Sequence, residues 1–348
     1  MNVSQTTSTP ADEAEPQLET RPRRLAAAAG HVLSVLERYG LVVLFLLMFL
    51  VFSTMWNRPD IFHSMPNIRT VLGTYSVPAI LALASIIPLV CGQFDLTVGS
   101  IASLTAIFTA AGVMTHHASP AVAMIIAVAI GTAFGAINGF LVAYVRVNAL
   151  ITTLGMASVI AGILEWYTNG NTILLGVGTL TNLGSLNWLG IPRLVFFVVA
   201  IALLIYYLLQ HTPFGRYLHS VGSNATAARL VGLKVERLIF FSFVLSGTVA
   251  GIAGVLLLAR NGSANQQLGG PSLTLSALAA AFLGATTIRP GRFNVLGTLV
   301  AVFFVGFSLS GLNLNNVANW VSDFFVGSAL VLAVAISTVV GRRRAAGG

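Results

Sequence analysis

Apolar runs long enough for helices of about 20 residues recur from Tyr39 almost to the end of the chain, separated by short polar or Gly/Pro-marked segments. Read as spans, they cover 39–56, 71–91, 95–114, 120–145, 149–167, 192–210, 237–259, 274–287, 292–311 and 320–340. Several are short or interrupted by Gly and Pro, the mark of broken or re-entrant helices. The pattern predicts an all-α polytopic membrane protein of about ten transmembrane or re-entrant helices. One transmembrane domain covers 38–340, after a disordered to amphipathic cytoplasmic segment over 1–37 and before a basic cytoplasmic tail over 341–348. The first apolar run comes too late for a cleavable signal peptide and is expected to stay in the membrane.

Charge then orients the chain. With a cytoplasmic N-terminus, the inner segments carry Arg21, Arg23, Arg24, Arg38, Arg146, Arg216, Arg229, Lys234, Arg237, Arg289, Arg292 and Arg342 to Arg344. Only Arg58, Arg69, Arg193 and Arg260 fall outside, as the positive-inside rule requires. Both termini are thus expected in the cytoplasm, and the tryptophans Trp56, Trp166, Trp188 and Trp320 all fall near outer boundaries.

Composition agrees: 56% of the residues are hydrophobic and only 8% are charged, too few to cover a soluble surface. The net charge of +8 is scattered between apolar runs rather than gathered on one face, so it speaks for topology and membrane lipid and against nucleic acid. A single cysteine, Cys91, excludes an internal disulfide and reads as a small packed residue.

Polar residues inside the apolar runs mark the candidate chemistry. In CGQFDLTVGS, residues 91–100, Asp95 and Thr97 stand at a predicted helix start, where free backbone N–H groups stabilise negative charge. Asp95 is either a structural N-cap at a membrane boundary or part of a substrate or coupling path. Gly131, Gly135 and Gly139 form a small-residue stripe for close helix packing, with Asn138 beside it and Thr152 and Thr153 downstream. Gly247, Gly251 and Gly254 form another, followed by the uncharged polar group Asn261, Ser263, Asn265, Gln266 and Gln267. Such donors and acceptors suit a polyhydroxylated ligand better than an ion, and a plain outer loop carries the same residue types. Asp95, Thr97, Asn138, Thr152, Thr153, Asn261 and Gln266 are the substrate-path candidates.

The polar segment 211–237 is read as short surface helices, with Asn224 capping a piece that runs through Leu230 and ends at Gly232, either a surface on which a partner can dock or an interfacial connector that meets only lipid headgroups. Segment 169–192 is read as irregular backbone packed at the outer mouth. No GxxxxGK[ST] loop, HExxH motif or catalytic constellation is apparent, so the chain reads as a non-catalytic subunit with no bound cofactor or metal.

In the order GQFDLTVGS, GAINGFLVAYVRVNALITTLGM, PFGRYLHSVGSNATAARLVGLKV, SGTVAGIAGVLLLAR and ALAAAFLGATT, the chain resembles the permease subunits of bacterial ABC importers for ribose, xylose, galactose, arabinose and related monosaccharides. The resemblance spans roughly 40–340 and implies two permeases, identical or homologous, paired around a translocation path in the inner membrane. It also implies cytoplasmic ATPase subunits that use ATP and an extracytoplasmic sugar-binding protein. The ATPase-coupling surface would fall on Gly215, Arg216, Gly222, Asn224, Ala227, Ala228, Arg229 and Gly232. The chain departs from the family pattern in the acid-free PSLTLSALAAAFLGA and in LGATTIRPG. Within the class, a nucleoside, inositol or signalling furanone is an alternative substrate, and a proton- or sodium-coupled carrier working through Asp95 is an alternative mechanism.

Overall fold

The computed structural model describes residues 38–54, 59–176, 178–318, 320–321, 324–328 and 331–332. The expected segments 1–37 and 341–348, Trp56, Arg58, Asp323 and most of the expected span 320–340 lie outside the described residues. Among those described, six helices are long and apolar enough to cross a membrane, joined by three shorter apolar helices.

The long helices are α3 (Met65–Val90), α5 (Pro120–Ala143), α6 (Ala149–Thr168), α8 (Arg193–His211), α11 (Val235–Asn261) and α13 (Val295–Leu314). The shorter ones are α1 (Arg38–Thr54), α4 (Val98–Met114) and α12 (Gly270–Gly284). Caps explain several starts: Ser64 accepts from Asn67 N, Ser119 from Val122 N, and Asn294 from Gly297 N, each satisfying an orphan N–H.

Helices α3 and α11 form the centre, with 72% of their most apolar window buried, against 22% for α5. The outward faces of α5 and α6 therefore carry apolar residues such as Ile125, Phe140, Ile151 and Val159 toward lipid or a partner. Helix α1 is fastened to α13 and to the short α2 (Pro59–Phe62) by Phe45, Phe49, Phe52, Phe62 and Phe307, whose rings pack with centroids 5.2–6.3 Å apart.

One end of the bundle collects Arg38, Arg146, Arg216, Arg229, Arg289 and Arg292, where Ile288 N donates to the Arg38 carbonyl at 2.7 Å. This basic end also carries α9 (Pro213–Ser223) and α10 (Ala225–Leu230). The opposite end carries β1 (Ile173–Leu174), α7 (Thr179–Ser185), β2 (Asn187–Trp188), β3 (Ile191–Pro192) and β4 (Ser263–Ala264). There β1 pairs antiparallel with β4, Ile173 opposite Ala264, and β2 pairs with β3 in a hairpin. Segment 169–192 is thus short pieces of structure stitched to the loop after α11, rather than wholly irregular backbone.

Two sequence expectations are corrected. The span expected at 95–114 begins only at Val98, and the one expected at 274–287 covers Gly270–Gly284. At about 26 and 22 Å, both are shorter than the ~30 Å hydrocarbon layer, and both begin inside the bundle. The chain leaves α3 at the basic end, returns inward through 91–97 and only there starts α4.

Candidate functional site

The glycine stripes that the sequence shows separately close on each other. A Cβ at Gly135 would meet the Phe243 carbonyl and Gly247, one at Gly247 would meet Gly131 and Gly135, and one at Gly254 would meet Ala102 and Thr105. Helices α4, α5 and α11 therefore touch backbone to backbone, the geometry that small residues permit in lipid.

Asp95 is fully buried beside this seam. Its Oδ1 accepts from Thr97 N at 3.0 Å and Thr97 Oγ1 at 2.5 Å, and its Oδ2 accepts from Ser246 Oγ at 2.8 Å. Asn138 Nδ2 donates to Thr97 Oγ1 at 3.0 Å, so α5, the 91–97 loop and α11 share one network. Three donors offset the cost of burying a carboxylate. The N-cap position of α4 is Thr97, not Asp95, and the Asp95 side chain is wholly covered by protein.

One turn further along α4 its first residues meet the start of α12. Gly99 N donates to Thr274 Oγ1 at 3.0 Å, and Ser103 Oγ accepts from Gly269 N at 2.8 Å and Gly270 N at 3.1 Å. Ser103 thus satisfies orphan donors at the α12 N-terminus. A Cβ at Gly99 or Gly269 would collide with the facing backbone, and Gly270 adopts φ +57°, which favours glycine.

Beside this junction lies a cavity of about 470 Å³ between α4, α6 and the start of α12. Ser100, Ser103, Ser158, Gln266, Gln267 and Ser272 supply its polar lining, with Leu154, Ile160 and Leu164 among the apolar residues, and among the described residues no charged side chain lines it. Gln266 is positioned by an Nε2 donation to the Ala161 carbonyl at 3.2 Å. The lining can hydrogen-bond a neutral, hydroxyl-rich molecule and offers no counter-charge to an ion.

The structure divides the expected substrate-path residues. Asp95, Thr97 and Asn138 form the closed network, while Gln266 lines the cavity. Asn261 lines a different cavity, of about 590 Å³, with Thr74, Tyr75, Arg260 and Ser276. Arg260 Nη2 there donates to Thr74 Oγ1 at 3.2 Å. Thr153 bonds the Ala149 carbonyl inside α6 and Thr152 is buried beside it; neither lines either cavity. Ser100, Ser103, Ser246, Ser272 and Thr274 were missed, because isolated hydroxyls in apolar helices usually satisfy their own backbone.

At the basic end, Gly215 meets the carbonyls of Leu208 and Leu209, and Gly222 meets the Val90 carbonyl, which press α9 onto the ends of α8 and α3. Asn224 Oδ1 accepts from Ala227 N at 2.9 Å and caps α10, and Gly232 at φ +85° follows it. Ala228 is buried and Ala227 exposed. Arg216 lines a small cavity with His219, Arg289 and Arg292. Arg229 turns back to Glu236 at 2.9 Å, and Arg146 approaches the same carboxylate at 3.7 Å. What projects instead is Leu230 and Val231, 85% and 78% exposed. Leu230 closes the segment that the sequence marks as a docking surface, and Val231 follows it as a further apolar residue before Gly232.

The family model described as "Branched-chain amino acid transport system / permease component" matches residues 67–334. The chain is 32% identical to the ribose import permease of Escherichia coli (strain K12), over 87% of this chain and 94% of the relative. It is 32% identical to the L-arabinose ABC transporter permease of Azospirillum brasilense, over 89% and 90%. It is 29% identical to the autoinducer 2 import system permease of Photorhabdus laumondii, over 79% and 82%. No solved structure matches the chain. With a buried glycine seam, two helices that begin inside the bundle and these matches, the chain belongs to this permease-component family, as a membrane permease subunit homologous to the permeases of sugar ABC importers.

Proposed function

We propose that the chain is the translocation subunit of an ATP-driven importer for a monosaccharide, paired with a second permease, identical or homologous. The observation that carries this reading is the 470 Å³ cavity at the meeting of two half-helices, lined by uncharged hydrogen-bonding groups. A sugar brings hydroxyls and no charge, and a wet, partly apolar lining binds it weakly enough to release it. Relatives named for ribose and L-arabinose import support the same substrate class.

The positive-inside rule supports a cytoplasmic basic end and cytoplasmic termini, and the bacterial relatives support a bacterial inner membrane as the setting. ATPase subunits dock on α10 through Leu230 and Val231, and an extracytoplasmic sugar-binding protein delivers substrate at the opposite end. Contacts within the chain run from the proposed ATPase dock toward the cavity and support this reading: α10 is joined to α9, a Cβ at Gly222 of α9 would meet Val90 at the end of α3, and the 91–97 loop, which holds Asp95, leads into α4. Helix α4 presents Ser100 and Ser103 to the cavity. Displacement of α9 would tilt the α4 start against α12 and reshape the cavity.

The test is uptake of labelled ribose, L-arabinose and an autoinducer-type furanone by cells with and without the chain, alongside mass spectrometry of proteins that co-purify with it. Chain-dependent, ATP-dependent sugar uptake with a co-purifying ATPase that Leu230→Glu depletes is the expected result. Uptake of the furanone alone would move the substrate to the class named by the Photorhabdus relative. Uptake driven by an ion gradient after ATP depletion, lost in Asp95→Asn, would replace the reading with a secondary carrier.

A further inference from the structure

A cavity of about 220 Å³ at the basic end is lined by Leu209, Gln210, Arg216, His219, Arg289, Arg292 and Phe293. Three arginines and a histidine line it from α9 and the turn between α12 and α13, α8 adds Leu209 and Gln210, and among the described residues no carboxylate lines it. The ion pairs found among the described residues both involve Glu236, with Arg146 and Arg229, so they neutralise none of these three arginines. Gln210 Oε1 accepts from Arg289 Nη1, and the nearby C-terminus of α8 contributes only about half a unit of negative charge.

Like charges gathered on flexible side chains normally spread apart in water. Here two of the arginines are set on a constrained turn. The buried Asn294 donates from Nδ2 to the carbonyls of Gly284, Thr287 and Arg292, at 3.2, 3.1 and 3.1 Å, and Ile288 N is tied to the Arg38 carbonyl. Arg216 and His219 stand one turn apart on α9, whose buried Gly215 and Leu218 fix it against the bundle. The imidazole feels the result: burial, then Arg292 and Arg289, push the His219 pKa below the usual histidine value.

We infer that this cavity is an anion site for a phosphate group, either a phosphodiester of an anionic lipid headgroup or free inorganic phosphate. Guanidinium forks match tetrahedral phosphate oxygens with paired N–H donors. The volume admits a phosphate or a headgroup, and the basic pocket lies at the membrane end of the spanning helices, where headgroups reside. Nothing in the inference depends on which solute the protein carries.

The test uses the purified full chain in phosphate-free buffer, followed by thermal unfolding as inorganic phosphate replaces chloride at constant ionic strength. A phosphate-specific rise in Tm of about 2–4 °C is expected, lost in the Arg289→Gln/Arg292→Gln pair and kept in Arg237→Gln, a change to an exposed cation outside the cavity. Arg292→Lys, which keeps charge and loses the fork, guards against a folding defect and should weaken binding by about tenfold. In nanodiscs, a variant-sensitive gain with phosphatidylglycerol but not phosphatidylcholine assigns the site to a headgroup. The same gain from soluble phosphate in phosphatidylcholine discs assigns it to free phosphate. Equal responses to chloride and phosphate, or an undiminished response in the double variant, overturn the inference.

Discussion

Asp95 and Gln266 belong to two polar regions joined by the same helix, α4, yet they are opposite in construction. Around Asp95 the hydrogen bonds close inward: Thr97 and Ser246 donate to the carboxylate, Asn138 donates to Thr97, and glycine-to-glycine contact excludes everything else. Around Gln266 the backbone does the inward bonding, through Ser103 and the Ala161 carbonyl, and the side chains of Ser100, Ser158, Gln267 and Ser272 border an open cavity. The ionisable residue thus joins helices, and the uncharged ones border the open cavity. In a low-dielectric interior this division is physically sensible, since a charge must be fully paired whereas neutral groups can exchange partners cheaply.

The contrast can be broken most severely at the seam. Gly135→Leu or Gly247→Val forces a side chain into facing backbone and should cost on the order of 3 kcal/mol or more. Size-exclusion recovery and Tm would show this as lost monodisperse protein, whereas Gly155→Ala, which meets open space, should leave both intact. Next in size, Asp95→Ala removes the acceptor of three donors and should cost about 3 kcal/mol, read as a lower Tm. Asp95→Asn keeps the shape and should retain uptake; abolished uptake with an unchanged Tm would show that Asp95 is an open coupling site after all.

On the cavity side the effects invert. Gln266→Ala and Ser272→Ala should each weaken sugar binding by about 2–10-fold, the worth of one hydrogen bond, measured by uptake kinetics, while Tm moves by less than about 1 °C. Losses of Tm without a change in binding would erase the distinction between the two regions. The smallest effect is at the basic end. The pKa of His219 is lowered by burial and by Arg292 and Arg289, with Arg216 and Gln210 facing the same cavity, so the unfolded chain binds the proton more readily than the folded one. Stability should therefore fall as pH drops below the ordinary value of 6.5, and His219→Gln should flatten that slope in a Tm-versus-pH series.

Much of this was legible from the chain alone. Periodic apolar runs located most helices to within a few residues, and Asn224 and Gly232 delimited α10 because capping and a left-handed turn are local chemistry. Both glycine stripes were visible too. That Leu230 and Val231 project as an exposed apolar pair was not, since apolar residues are ordinary in such a chain and only their exposure distinguishes them. Nor could Asn261 and Gln266 be separated by their spacing, because the reversal after α11 sends neighbours in sequence into different cavities.

The sequence by itself determined that the chain lives in a membrane, where its helices run, which glycines allow close packing and which residues are polar. The tertiary structure alone decided which of those polar residues are sealed and which are open. Asp95 meets Ser246 across 151 positions and Ser103 meets Gly269 across 166. Local periodicity fixes the face on which a side chain stands, but pairings at such separations depend on how helices cross and where two of them break. Those crossings follow from packing over the whole bundle, which no segment of the chain specifies alone.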